Sequence, residues 1–178
     1  MKIPQIITGD FDSLRDDVRD YYESLGTKII HNPDQYSTDF MKANKSIKDH
    51  SSSSYSILAL GGMGGRVDQQ FHSIHQLFLS KEQGQLIYLI STESISFLLD
   101  EGKSTIITPT DLIGETCGII PVCGETSITT QGLRWDVSDW KTSFGSQVST
   151  SNHLISDSIT IESDKPVLFT AEIRDSEQ

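Results

Sequence analysis

ITGDFDSLRDD, residues 7–17, carries a short apolar run to an abrupt stop at Gly9 and two carboxylates, Asp10 and Asp12, spaced one residue apart. The run reads as the end of a strand, and residues 10–15 read as a loop that opens a helix. Ser13 is placed to cap that helix, with Asp16 three residues on as a weak capping box. Val18, Tyr21, Tyr22 and Leu25 recur at helical spacing, and Gly26 stops them. The same unit repeats twice. A strand over 27–31 leads through NPDQYSTDF (32–40) to a helix with Phe40, Ala43 and Ile47 on one face. A strand over 56–60 leads through GGMGGRVDQ (61–69) to a helix marked by Val67, Phe71, Ile74 and Phe78. A fourth strand covers 85–91, and Ser51–Ser54 read as a flexible connection. The order βαβαβαβ calls for a mainly parallel sheet with helices on its faces.

After about Leu99 the pattern changes. Short runs alternate inward and outward, as at Ile159 and Ile161 and at Val167, Phe169, Ala171 and Ile173, with glycines between them. That stretch reads as an all-β sandwich or partial barrel. The expected class is therefore α/β plus all-β. A three-layer N-terminal α/β domain with a mainly parallel sheet occupies 1–100, and a C-terminal β-sandwich occupies 101–178, with the boundary near Glu101–Lys103.

The 178 residues carry a net charge of −11, which excludes general binding to nucleic acid, because that needs basic patches. No apolar run reaches the roughly 18 residues of a membrane span, and the N-terminal run is too short for a secretory signal. A soluble, cytoplasmic protein with no membrane or nucleic-acid partner is expected. Cys117 and Cys123 are too few for a disulfide scaffold and read as reduced and structural.

In a parallel sheet the three loops fall along one edge, where open α/β sheets bind ligands. Asp10, Asp12, Asp39 and Asp68 are thus expected to converge. Two like charges about 4 Å apart cost about 4 kcal/mol at an effective dielectric near 20, and a cation relieves that. Mg²⁺ suits an all-oxygen set shared with substrate phosphates. The glycines of GGMGG allow close backbone approach, and Arg66 offers a fork to phosphate oxygens. Each loop alone also reads as ordinary capping. GGMGGR is neither a Walker A loop nor a dinucleotide fingerprint. The residues by themselves leave a metal–phosphate site and a set of helix caps both open. His72 and His75, three apart on a helix, read as ordinary helix residues rather than a metal pair.

Taken together, GDFDS, PDQYSTDF, LGGMGGRVDQ, GIIPV, GLRW and VSTSN resemble the thiamin pyrophosphokinases of the eukaryotic type, over Ile7 to Ile173. The resemblance implies transfer of a pyrophosphoryl group from ATP to thiamin, giving thiamin diphosphate and AMP. It implies Mg²⁺ and a homodimer with thiamin at the subunit interface. Asp10, Asp12 and Asp39 would be metal ligands and, with Asp68, the catalytic acids. Either Asp39 or Asp68 would accept the hydroxyl proton. Thr38, Arg66 and Gln69 would meet the ATP phosphates. Gln35, Trp135, Ser149, Ser151 and Asn152 would meet thiamin, with Trp135 stacking on it. Family members carry a further N-terminal strand and acidic glycine motif ahead of GDFDS, so a catalytically impaired thiamin-binding or dimerisation protein is the alternative. A Mg²⁺-dependent phosphohydrolase acting on another nucleotide is the third reading.

Overall fold

The computed structural model describes residues 2–51 and 55–174; the serine run at 52–54 lies outside them. The chain divides into two compact units, Met1–Ser54 and Tyr55–Gln178.

In the first unit, β1 (Ile6–Gly9) and β2 (Lys28–His31) form a parallel pair in register from Ile6↔Lys28 to Gly9↔His31. Helix α1 (Asp16–Ser24) joins them, and α2 (Asp39–His50) comes after β2 and packs on β1. The start expected at Ser13 is incorrect. Arg15 holds the N-cap position, with no side-chain cap. A turn closed by the Leu14 N–H on the Phe11 carbonyl (3.1 Å) takes up residues 11–14 and keeps Ser13 out of the helix. Asp16 and Asp17 occupy the first turn instead, where the helix dipole favours carboxylates. Gly26 ends α1 as expected, at φ +86° with its N–H on the Glu23 carbonyl. On α2 the buried positions are Lys42 and Asn44, whereas Ile47, expected on the inner face, is exposed.

The second unit contains β3 (Ile57–Leu60), α3 (Val67–Glu82), β4 (Ile87–Ile90), β5 (Ser94–Leu99), β6 (Gly102–Ile107), β7 (Ile113–Ile120), β8 (Thr126–Gln131), β9 (Trp140–Thr142), β10 (Ser149–His153), β11 (Ser158–Ser163) and β12 (Val167–Ile173). Six strands pair in the order β10-β7-β12-β5-β4-β3, and four in the order β6-β11-β8-β9. Among the described residues of this unit, only β3–β4 is a parallel pair. The two parallel pairs of the first half thus belong to different sheets, where one mainly parallel sheet was expected. The six-stranded sheet also runs through the expected boundary, since β3, β4 and β5 share it with β7, β10 and β12. The reason is local. After β4 the chain turns at Ser91–Ser94 (Ser91 N–H to Ser94 carbonyl, 2.9 Å) and returns antiparallel as β5. No crossover helix intervenes there.

The core draws on both sheets. Phe169, Ile119, Cys117 and Ala171 of one meet Ile128, Ile159 and Ile161 of the other. Strand β12 lies between β5 and β7, so Val167, Leu168 and Phe169 are all buried, although they alternate in direction. Each such side chain contributes about 1.5–3 kcal/mol. Helix α3 packs on β4 and β5 through Ser73, Gln76, Leu77 and Ser80. Of the apolar stripe expected to face inward, Val67 and Phe71 are each 65% exposed, and Ile74 and Phe78 are half-buried. Small serines let the helix come close, and Gln76 donates to Ser80 Oγ (3.0 Å). No described helix is long and apolar enough to cross a membrane.

The two thiols sit in opposite surroundings: Cys117 is buried in the core and Cys123 is exposed on a turn. Burial pushes the Cys117 thiol up to about 11. Its neutral form therefore stabilises the fold below the unfolded thiol value, and that stability fades as pH rises towards the folded one. At pH 8, alkylation of the native protein should label one cysteine, Cys123, and denaturant should release the second. Rapid labelling of both by mass spectrometry would contradict the packing.

Candidate active site

Gly9 ends β1 with its backbone buried, and the chain leaves through Asp10. Asp10 Oδ1 accepts the Asp12 N–H at 3.3 Å, a short Asx turn. Phe11 between them is left-handed at φ +68°, a strained value for a bulky residue. Its ring lies 5.5 Å from that of His31, which pairs with Gly9 across the two strands. The second loop is held by its own side chains. Asp34 accepts from the Tyr36 N–H (2.9 Å) and from Ser37 Oγ (2.5 Å). Thr38 Oγ1 caps α2 by accepting the Met41 N–H at 3.3 Å. Gln35 is exposed and donates to the Pro33 carbonyl at 3.4 Å.

Between these loops stands Lys42, with a side chain only 1% exposed. Its ammonium donates to Asp10 Oδ2 at 3.1 Å and to Asp39 Oδ1 at 3.2 Å. Burial works against the charge on Lys42. Hydrogen bonds to the two carboxylates, and their charge, outweigh it and leave the ammonium harder to deprotonate than usual. The Lys42 hydrogen bond, and after it the Asp12 N–H, holds the Asp10 carboxyl below its ordinary value. Asp10 therefore supports the fold above the usual carboxylate range, and its support disappears as pH falls through the lowered value. Asp10 and Asp39 are thus brought together. Asp12 joins them through its backbone, and among the described residues no group of three or more His, Cys, Asp or Glu side chains stands close enough to hold a metal. The three-carboxylate cage expected of Asp10, Asp12 and Asp39 is not assembled. Two carboxylates, 26% and 63% exposed, still fit Mg²⁺, which keeps several waters and takes phosphate oxygens for the remaining positions.

Lys42 was not singled out in the sequence. The signal was there in Asp39-x-x-Lys42, an i,i+3 pair on one helix face. Gly9 also has a specific reason to be glycine: a Cβ at that position would meet Asp39 Oδ1 at 3.1 Å. Gly9→Ala should displace the Asp39 carboxylate by a few tenths of an ångström and lower turnover about tenfold, with only a small change in melting temperature. Unchanged turnover would mean that the position of Asp39 does not matter.

In the second unit, Arg66 precedes α3, and its fork closes on Asp68 through Nε–Oδ1 at 3.1 Å and Nη2–Oδ2 at 2.5 Å. Both are exposed, and the guanidinium holds the Asp68 carboxyl below its ordinary value. Gln69 is exposed on the first turn. The His72 and His75 rings lie 5.9 Å apart.

Trp135, 54% exposed, sits on the turn after β8. Asp136 braces that turn by accepting the Gly132 and Leu133 N–H groups at 3.0 and 3.1 Å. Asn152, 7% exposed, holds both peptide groups of Trp135: Nδ2 donates to the Trp135 carbonyl (3.0 Å), and Oδ1 accepts the Trp135 N–H (3.2 Å). Oδ1 also accepts the His153 N–H at 2.8 Å. The Arg134 guanidinium lies 5.2 Å from the indole centroid, and the His153 ring meets the indole edge-on at 5.3 Å. Ser149 and Asn152 bound a register shift in β10, and Ser151 lies inside it at φ +55°. The second unit thus presents a half-exposed indole on a turn fixed by a buried amide.

Residues 1–89 match the family model described as thiamin pyrophosphokinase, catalytic domain, and residues 103–168 match thiamin pyrophosphokinase, vitamin B1 binding domain. Thiamine pyrophosphokinase 2 of Oryza sativa subsp. japonica is 36% identical over 97% of this chain and 66% of its own length. Thiamine pyrophosphokinase 1 of Arabidopsis thaliana is 36% identical over 96% of this chain and 66% of its own. The solved thiamin pyrophosphokinase from Candida albicans superposes with a TM-score of 0.88 at 30% identity, covering 97% of this chain and 74% of that one. The chain belongs to the thiamin pyrophosphokinase family. It spans about two thirds of the length of the curated relatives it matches, at 66% for the first two.

Proposed function

We propose that this chain transfers the pyrophosphoryl group of ATP to the hydroxyethyl oxygen of thiamin, yielding thiamin diphosphate and AMP. The observation that carries the reading is the Asp10–Lys42–Asp39 cluster at the end of β1 and the start of α2, in a chain that matches the family's catalytic and vitamin B1-binding models in tandem. Residues 1–100 take ATP, and residues 101–178 take thiamin. Asp10 and Asp39 hold Mg²⁺ with the ATP phosphates, and the Asp12 N–H fixes the rotamer of Asp10. When bound, Mg²⁺ offsets phosphate charge and makes phosphorus more open to attack. Thr38 and Gln69 border the phosphates, and Arg66 exchanges Asp68 for them as partner. Asp39 or Asp68 receives the hydroxyl proton. Trp135 stacks on thiamin, a cationic heteroaromatic suited to an indole face. Gln35, Ser149 and Ser151 supply polar contacts, and Asn152 holds Trp135 in place. Two copies bind thiamin at their interface.

The test is incubation of the full chain with ATP, Mg²⁺ and thiamin. Equal amounts of AMP and thiamin diphosphate are expected. A folded sample that forms neither refutes the reading, and phosphate release from ATP without thiamin would favour a phosphohydrolase.

A further inference from the structure

Each carboxylate of the cluster has two oxygens, and Lys42 takes one from each: Oδ2 of Asp10 and Oδ1 of Asp39. The ammonium cannot readily withdraw, because its side chain is 1% exposed, on the buried face of α2. Asp10 Oδ1 also accepts the Asp12 N–H, so an ion bound here can draw on Asp39 Oδ2 and on the remaining lone pair of Asp10 Oδ1. A bidentate grip would need the oxygen that Lys42 holds, and would bring the ion towards a fixed positive charge. Ca²⁺ fills six to eight positions and commonly takes carboxylates bidentately. Mg²⁺ takes six, with one or two carboxylates alongside waters and phosphate oxygens. We propose that Lys42 sets the cation preference of this site: by holding one oxygen each of Asp10 and Asp39 it leaves a monodentate pair that suits Mg²⁺ and disfavours Ca²⁺. The proposal rests on the reading that this pair holds the divalent ion of the nucleotide.

The experiment is calorimetric titration of the full chain with the Mg²⁺ complex and, separately, the Ca²⁺ complex of a non-hydrolysable ATP analogue. The wild type should bind the Mg²⁺ complex at least about tenfold more tightly. Lys42→Met, which frees both held oxygens, should shrink that ratio at least about fivefold, mainly by tighter binding of the Ca²⁺ complex. Lys42→Arg keeps a cation in place and should stay closer to the wild-type ratio. Circular dichroism establishes that each variant is folded, and if Lys42→Met is not, the wild-type ratio decides. Equal affinity of the wild type for the two complexes, or a folded Lys42→Met with the wild-type ratio, overturns the role of Lys42 while leaving the nucleotide site standing. No binding of either complex by the wild type overturns both.

Discussion

Asp10→Asn is expected to lower thiamin diphosphate formation by about 10²- to 10³-fold, the usual cost of removing one preorganised charge partner from a transfer site. The substitution is nearly isosteric. The side-chain oxygen can still accept the Asp12 N–H, and Lys42 keeps Asp39 as a charged partner. The fold should survive, because Asp10 and Asp39 are partly exposed and water can replace part of what is lost. Loss of turnover should therefore come with a moderate fall in melting temperature, because the buried Lys42 keeps only one charged partner, and with little change in KM for thiamin. Product chromatography and thermal denaturation read the two separately. Retained turnover would remove Asp10 from the chemistry, and a collapse of the fold would make its role structural.

The second large effect is expected at Asn152. Its amide satisfies three backbone groups: the N–H and carbonyl of Trp135 and the N–H of His153. Asn152→Ala strands them in a part-buried turn, at a cost of about 2–4 kcal/mol. For a chain of this size that lowers the melting temperature by roughly 5–12 °C. Trp135 should also lose its fixed position, raising KM for thiamin about tenfold. Trp135→Ala is the control: the indole is half exposed, so its removal should raise KM with little loss of stability. A raised KM with an unchanged melting temperature in Asn152→Ala would mean that the amide serves the ligand rather than the turn.

Local pattern made much of the molecule readable. The three strand–loop–helix units lie close to where the glycines and apolar spacing put them, and Ile159, Ile161, Val167, Phe169 and Ala171 are buried as their alternation requires. The errors share one cause. Helix periodicity names an apolar stripe but does not say which way it turns. On α3 Val67 and Phe71 of the stripe are exposed while Ser73 and Ser80 are buried, and on α2 Lys42 and Asn44 are buried while Ile47 of the apolar face is exposed. Sheet membership was illegible for a related reason. Strands found one by one carry no record of their partners, so the return of β5 onto β4 was hidden.

The sequence by itself determined the family, the order of the elements and the carboxylates that end β1 and open α2, since these come from residue type and spacing along one chain. Only the tertiary structure decided that Lys42 stands between Asp10 and Asp39, and that Asn152 grips Trp135 across seventeen residues. Both contacts depend on distances set by strand pairing and helix rotation, and a buried cation is stable only where such packing brings carboxylates to it.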